Sequence, residues 1–237
     1  MIITALEPYG KTKVKVYFNE EYTFWVYSSD IRTYNWKIGQ EFTEKEYNEV
    51  LRTVVFTNAR KKALSLLAKM DYASGDMRLK LRKAEFPEEV IELVISGLLD
   101  KGYLDDRRYA QNYVETRSQS KGKGMLRLEL QKKGICAEEI ELALETLSGQ
   151  EEQNGAYMLL KKKYLEWRRE QSRLDARKEE DNPDYGNSDL PDYPSIQKMK
   201  AALFRKGYSG DVINRAWFQL QEEMRERNCS GFDRNLT

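Results

Sequence analysis

Near the start of the chain apolar positions alternate with polar ones. Val14, Val16 and Phe18 occupy every second position, Asn19-Glu20-Glu21 interrupts them, and Tyr22, Phe24 and Val26 resume the alternation. A period of two puts successive side chains on opposite faces of a strand, so this stretch predicts a β-hairpin with its turn at 19–21. A second extended piece is expected around Trp36–Phe42. From Thr43 onward the apolar positions recur every three or four residues, the spacing of helices that each bury one stripe.

The helical region contains a unit that occurs three times. LRKAEFPEEVIELVISGL (81–98) aligns without gaps on LQKKGICAEEIELALETL (130–147) and on LFRKGYSGDVINRAWFQL (203–220). Leu81, Leu130 and Leu203 coincide, as do Lys83, Lys132 and Arg205, then Phe86, Ile135 and Tyr208, then Ile91, Ile140 and Ile213, and finally Leu98, Leu147 and Leu220. Each copy reads as helix, tight turn, helix. Gly134 and Gly207 supply the left-handed residue that ends the first helix, and the apolar residue after each packs back on it. In the first copy Glu85 holds the glycine's place, which predicts a strained or differently built cap. Pro87 suits the first turn of the helix that follows. Trp217 stands where Ile95 and Leu144 stand, a core position.

A further helix is predicted ahead of each pair, over 59–69, 107–117 and 155–168. The fold class expected is mainly α: three tandem three-helix, helix-turn-helix-like repeats in an elongated array, with a short N-terminal β-hairpin region. The boundaries that follow are a β-rich region over 1–55, repeats over 56–101, 102–149 and 150–224, and a tail over 225–237. Residues 171–194 interrupt the third repeat with Pro183, Pro191, Pro194 and few aliphatics, which reads as a loosely ordered acidic loop.

Composition narrows the chemistry. The 237 residues are 40% hydrophobic and 33% charged, enough apolar material for a core. No run approaches the roughly 18 apolar residues of a membrane span, and the N-terminus has no basic-then-apolar export pattern, so a cytoplasmic protein without membrane contact is expected. Cys136 and Cys229 lack metal-ligand spacing and read as two free thiols. The chain has no histidine, which removes the usual general base, triad partner and commonest metal ligand. Asp105-Asp106 is the best carboxylate pair, and an aspartate just ahead of Arg107-Arg108-Tyr109 reads more simply as a helix cap. A carboxylate-and-metal hydrolase has little support, and neither an enzyme activity nor a cofactor is expected.

Net charge is +1, but it is segregated. From Arg117 to Lys133 six basic residues (Arg117, Lys121, Lys123, Arg127, Lys132, Lys133) face one acid, Glu129; from Glu170 to Pro194 eight acids face three bases. KGKG at 121–124 is not a phosphate loop: the second glycine is at the wrong interval, no Ser or Thr follows a lysine, and a helix rather than a strand precedes it. The basic stretch, with Arg205 and Lys206 in the third copy, instead reads as a nucleic-acid contact, against the plainer reading of lysines that complement helix C-termini. Tyr157, Leu160, Tyr164 and Trp167 form a stripe at helical spacing and read as core, leaving Lys161–Lys163, Arg168 and Arg169 on the surface.

The combination of GYLDDRRYAQNYVETR (102–117), KGKGMLRLELQKKGI (121–135) and three tandem three-helix repeats behind a β-rich start resembles the RecX family, regulators of the bacterial RecA recombinase. The resemblance spans about Ile3 to Leu220. It is strongest at Asp105, Tyr109, Ala110, Arg117, Gly122, Leu130, Lys133, Gly134 and Ile135. It departs at Lys69-Met70-Asp71-Tyr72-Ala73, where the family tends to carry an arginine and a serine, and in the length of the acidic insertion. A monomer is expected, and the resemblance implies a non-enzymatic mechanism in which the protein lies in the groove of the RecA filament on single-stranded DNA. There it would inhibit ATP hydrolysis and strand exchange in homologous recombination, DNA repair and the SOS response, with Arg117, Lys121, Lys123, Arg127, Lys132, Lys133, Arg205 and Lys206 as the filament and DNA contacts, double-stranded DNA included. The alternative is a helical-repeat protein that binds nucleic acid without a recombinase.

Overall fold

A computed structural model describes residues 1–179 and 191–232, with side chains up to 174 and from 191 to 226. The chain forms two compact units, one of residues 1–109 with 133–135, the other of residues 110–132 and 136 onward.

The first unit opens with three antiparallel strands in the order β1 (Ile3–Tyr9), β2 (Lys13–Phe18), β3 (Glu21–Tyr27). The expected hairpin is β2–β3, with Val16 opposite Phe24 and Val14 opposite Val26. Its turn is two residues, Asn19 and Glu20, both at positive φ (49° and 69°), which matches the twist of the strands. The alternation did not announce β1, because Thr4 and Pro8 blur it; Pro8 is tolerated because β1 is an edge strand. The extended piece expected at 36–42 is instead a turn with one isolated bridge, Ile2 to Glu41. It follows an unforeseen short helix, α1 (Ser28–Tyr34), that stops on left-handed Asn35. Trp36 and Phe42 are buried there, Phe42 edge-on to Phe18, and residues 39–42 exchange backbone hydrogen bonds with residues 1–3, so the last part of the expected piece does lie along the chain's start.

Thr43 caps α2 (Glu44–Val50): its hydroxyl accepts from the Glu46 N–H, and the Glu46 carboxylate accepts from the Thr43 N–H. A π-helical turn, Leu51–Val55, carries the chain into α3 (Phe56–Leu67), followed by α4 (Ser74–Arg82) and α5 (Glu88–Asp100). Leu81, Phe86, Ile91, Ile95 and Leu98 are buried together with Val16, Phe24 and Trp25, so the sheet and the first repeat share one core.

The remaining helices are α6 (Asp106–Arg117), α7 (Lys123–Lys132), α8 (Ala137–Glu145), α9 (Gly149–Glu179), α10 (Tyr193–Arg205) and α11 (Gly210–Phe232). Every aligned apolar position of the repeat is buried: Leu81, Leu130 and Leu203 are each 0% exposed, and Ile91, Ile140 and Ile213 at most 4%. In the second unit Leu160, Tyr164, Leu203, Tyr208, Ile213, Trp217 and Leu220 belong to one core, with Tyr157 and Trp167 packed against it, as the stripe predicts.

Helix α9 is longer than the expected 155–168 span. Ser148 and Glu151 form a capping box at its start, and a run of Arg, Glu, Leu and Ala with no Gly or Pro carries it to Glu179. The insertion therefore begins as helix; residues 180–190 lie outside the described residues. Likewise α11 continues through the expected tail to Phe232, and 233–237 lie outside. Cys136 is exposed and unpaired; the Cys229 side chain is outside the described set.

Candidate nucleic-acid interface

The glycines of KGKG are spent on protein contacts. The Gly122 N–H donates to the Lys206 carbonyl at 2.9 Å and the Gly124 N–H to the Gly207 carbonyl at 3.0 Å. A Cβ on Gly122 would come within 2.5 Å of Gly207 and Tyr208 backbone atoms, and one on Gly207, itself at φ +84°, within 2.0 Å of the Met125 nitrogen. The third repeat's turn is thus seated on the start of α7 at a distance only glycine permits. The first unit contains the same joint one repeat earlier: Gly134, at φ +78°, lies against Gly75 at the start of α4.

An acid from the helix that follows closes each joint. Asp106 accepts from the Ser74 N–H at 2.7 Å and from the Ser74 hydroxyl, capping α4, while Glu152 accepts from the Lys123 N–H at 3.1 Å, capping α7. The aspartate pair accordingly divides its work, since Asp105 caps its own helix by accepting from the Arg108 N–H.

The eight predicted basic residues fall into two groups. Lys121 is held by both oxygens of Glu129, at 2.5 and 2.7 Å, and Tyr113 donates to the same carboxylate. Burial opposes ionisation of Glu129, yet these hydrogen bonds and the nearby Arg117 charge hold it below the usual carboxylate range. Arg127 makes a two-pronged pair with Glu141 at 2.6 and 2.7 Å. Lys133 donates to Asp76 at 2.7 Å and lies 5.4 Å from the Tyr109 ring centre. Burial resists its charge, but Asp76 and Tyr109 outweigh that and raise it above the usual lysine range. These three cations already have carboxylate partners.

Arg117, Lys123, Lys132, Arg205 and Lys206 make no ion pair among the described residues; Arg117 lies 5.6 Å from the Tyr113 ring centre. Lys132 and Arg205 occupy one column of the repeat, and Lys83, exposed like them, is the third member. A second basic column carries structure. Arg78 pairs with Glu92, Arg127 with Glu141, and Lys200 donates to Asn214, always fourteen residues apart at aligned positions. The aligned segments begin three residues too late to include these cations; extending them to 78, 127 and 200 brings out the recurrence, which separates bridging cations from those facing water. No group of three or more Cys, Asp or Glu that could hold a metal occurs among the described residues.

Family models match the chain in three consecutive places: the first three-helix domain of RecX over residues 59–98, the second over 105–144 and the third over 185–217. The chain belongs to the RecX family. Similar RecX proteins, each called a regulatory protein, include one from Bacillus cytotoxicus, 29% identical over 94% of this chain and 78% of its own length. Another from Clostridioides difficile is 28% identical over 92% and 95%. Two solved RecX structures share the fold at 24% identity: one with TM-score 0.58, covering 90% of this chain and 97% of its own, and one from Lactobacillus salivarius with TM-score 0.54, covering 70% and 97%.

Proposed function

We propose that this chain binds the RecA filament on single-stranded DNA and lowers its ATPase and strand-exchange activity. Family membership supports a regulatory role, and one observation carries the contact: in the second unit Lys132 and Arg205, at one position of the repeat, are exposed and without ion pairs, while Arg127 of the neighbouring column is paired with Glu141. Cations recurring at one position of a repeat suit a ligand with a repeating charge, as a phosphate backbone has, and Lys83 is the equivalent position of the first unit. Linked weak contacts raise effective concentration without one tight site. Lys206, Lys123 and Arg117 add to this set, whereas Lys121, Arg127 and Lys133 serve the fold first.

The same cations also support the alternative of binding bare nucleic acid. The two readings separate in a binding titration against single-stranded DNA with and without RecA. Filament regulation predicts tighter association with the coated strand. Equal affinity for bare and coated DNA, with log affinity falling against log salt at a slope near −0.7 for each phosphate contact, favours the alternative.

A further inference from the structure

Glu85 is the exception in its column. Its counterparts Gly134 and Gly207 sit at φ +78° and +84°, and Glu85 adopts φ +59°. A left-handed glutamate costs about 1–2 kcal/mol over an unstrained residue, and an observed outlier of this kind calls for a reason. Its carboxylate lies over the outward face of the N-terminal sheet, 3.3 Å from the Lys15 ammonium, with the Tyr22 hydroxyl at 3.3 Å and the Tyr9 hydroxyl at 3.4 Å. Hydroxyl bonds to a carboxylate are normally about 2.5–2.7 Å, so these are loose. The turn itself is anchored elsewhere, by the Trp25 indole N–H donating to the Ala84 carbonyl at 2.6 Å and by Trp25 against Phe86. Glu85 is therefore not needed to dock the turn.

The face beneath it is aromatic and basic. Tyr9 and Tyr22 are 38% and 37% exposed. The Lys15 ammonium lies 4.6 and 4.8 Å from their ring centres, and Lys13 sits 3.6 Å over the Trp25 ring. Burial first, and then repulsion from Lys62 of α3, lower the Lys13 pKa against the pull of Glu85. Two carboxylates share this face with the cations: Glu7, cross-strand from Lys15, is taken by the Tyr17 hydroxyl at 2.8 Å, and Glu85 is the loosely held one. Exposed tyrosines with lysines between them on an open sheet form a surface on which bases stack and phosphates are neutralised.

We propose that Tyr9, Tyr22, Lys13 and Lys15 form a second contact for single-stranded nucleic acid, and that Glu85 is a built-in counterion which a phosphate displaces. This rests on the nucleic-acid component of the function proposed above. It places a contact on the N-terminal sheet, apart in sequence from the basic stretches of the second and third repeats.

The test is fluorescence anisotropy of the full chain with a labelled single-stranded deoxythymidine 30-mer, across a salt series. Glu85→Gly installs the residue the other two repeats carry at this backbone conformation, and should tighten binding severalfold. Tyr9→Leu with Tyr22→Leu should weaken it by about tenfold, the loss of stacking on one or two bases. Lys13→Gln with Lys15→Gln should lower the salt slope by roughly 1.4. Lys132→Glu with Arg205→Glu tests the repeat column in parallel, and circular dichroism checks that each variant is folded. Binding that responds to the repeat variant but not to the sheet variants overturns this inference and leaves the function proposed above intact. No binding by the wild-type chain to the 30-mer overturns it too, and RecA-dependent binding then decides the broader reading separately. Glu85→Gly that is folded and unchanged in affinity refutes the counterion role.

Discussion

Replacing Gly207 by alanine tests the joint on which the repeat array depends. An alanine at φ +84° meets left-handed strain of about 1–2 kcal/mol. Its Cβ would stand 2.0 Å from the Met125 nitrogen and 2.6 Å from the Met125 Cβ, so the turn has to withdraw. Withdrawal breaks the bonds from the Gly122 and Gly124 amides. The buried Gly122 N–H left unpartnered costs about 1–3 kcal/mol, and the exposed Gly124 N–H about 0.5–1.5 kcal/mol because water replaces its partner. The sum is about 3–6 kcal/mol. With a urea m-value of roughly 2–3 kcal/mol/M, the midpoint of the transition followed by tryptophan fluorescence, to which Trp167 and Trp217 of the second core contribute, falls by ~1–3 M. Gly97→Ala is the control. It lies inside α5 with nothing within 4 Å of a Cβ, and should stabilise by up to about 1 kcal/mol. A Gly207→Ala protein with the wild-type midpoint would refute the close-packed joint.

Other consequences follow from the same contacts. Asp106→Ala removes the acceptor at the start of α4 and should cost about 1–2 kcal/mol, read by urea unfolding and by faster hydrogen exchange at Ser74. The folded pKa of Glu129 lies below its unfolded value, so its contribution is complete above about pH 4.5 and is lost as pH falls through the folded pKa. Glu129→Gln should therefore be less stable than wild type at pH 7, and the gap should close in acid denaturation scans. Lys132→Glu with Arg205→Glu should leave the protein folded, costing no more than about 1–2 kcal/mol because both stand in the last turn of a helix, and should weaken single-stranded DNA binding about tenfold or more. Unchanged binding would shift the contact to other cations.

The core was legible because burial leaves a periodic mark. Leu130, Ile135 and Ile140 could be aligned with their counterparts, and all proved buried. The strand β1 and helix α1 were not, since their apolar residues are irregular and their places are set by Trp36, Phe42 and the rest of the sheet. The basic site was only partly legible. Lys132 and Arg205 are exposed, whereas Lys121, Lys123 and Arg127, expected to be exposed, are half-buried, because Lys121 and Arg127 turn to Glu129 and Glu141, carboxylates brought close only by folding. The role of Gly122 was hidden for the same reason, because its partner, Lys206, is 84 residues away in the sequence. Glu85 stands out in the aligned repeats as an odd cap, and its positive φ bears that out; the tyrosines and lysines it faces come from strands no local pattern connects to it.

The most direct test is ATP hydrolysis by RecA from the same organism on single-stranded DNA while this protein is titrated in. The account predicts that hydrolysis falls at or below stoichiometric amounts, and that the fall is weaker with Lys132→Glu and Arg205→Glu. Unchanged hydrolysis at saturating protein, with bare DNA binding intact, would contradict it.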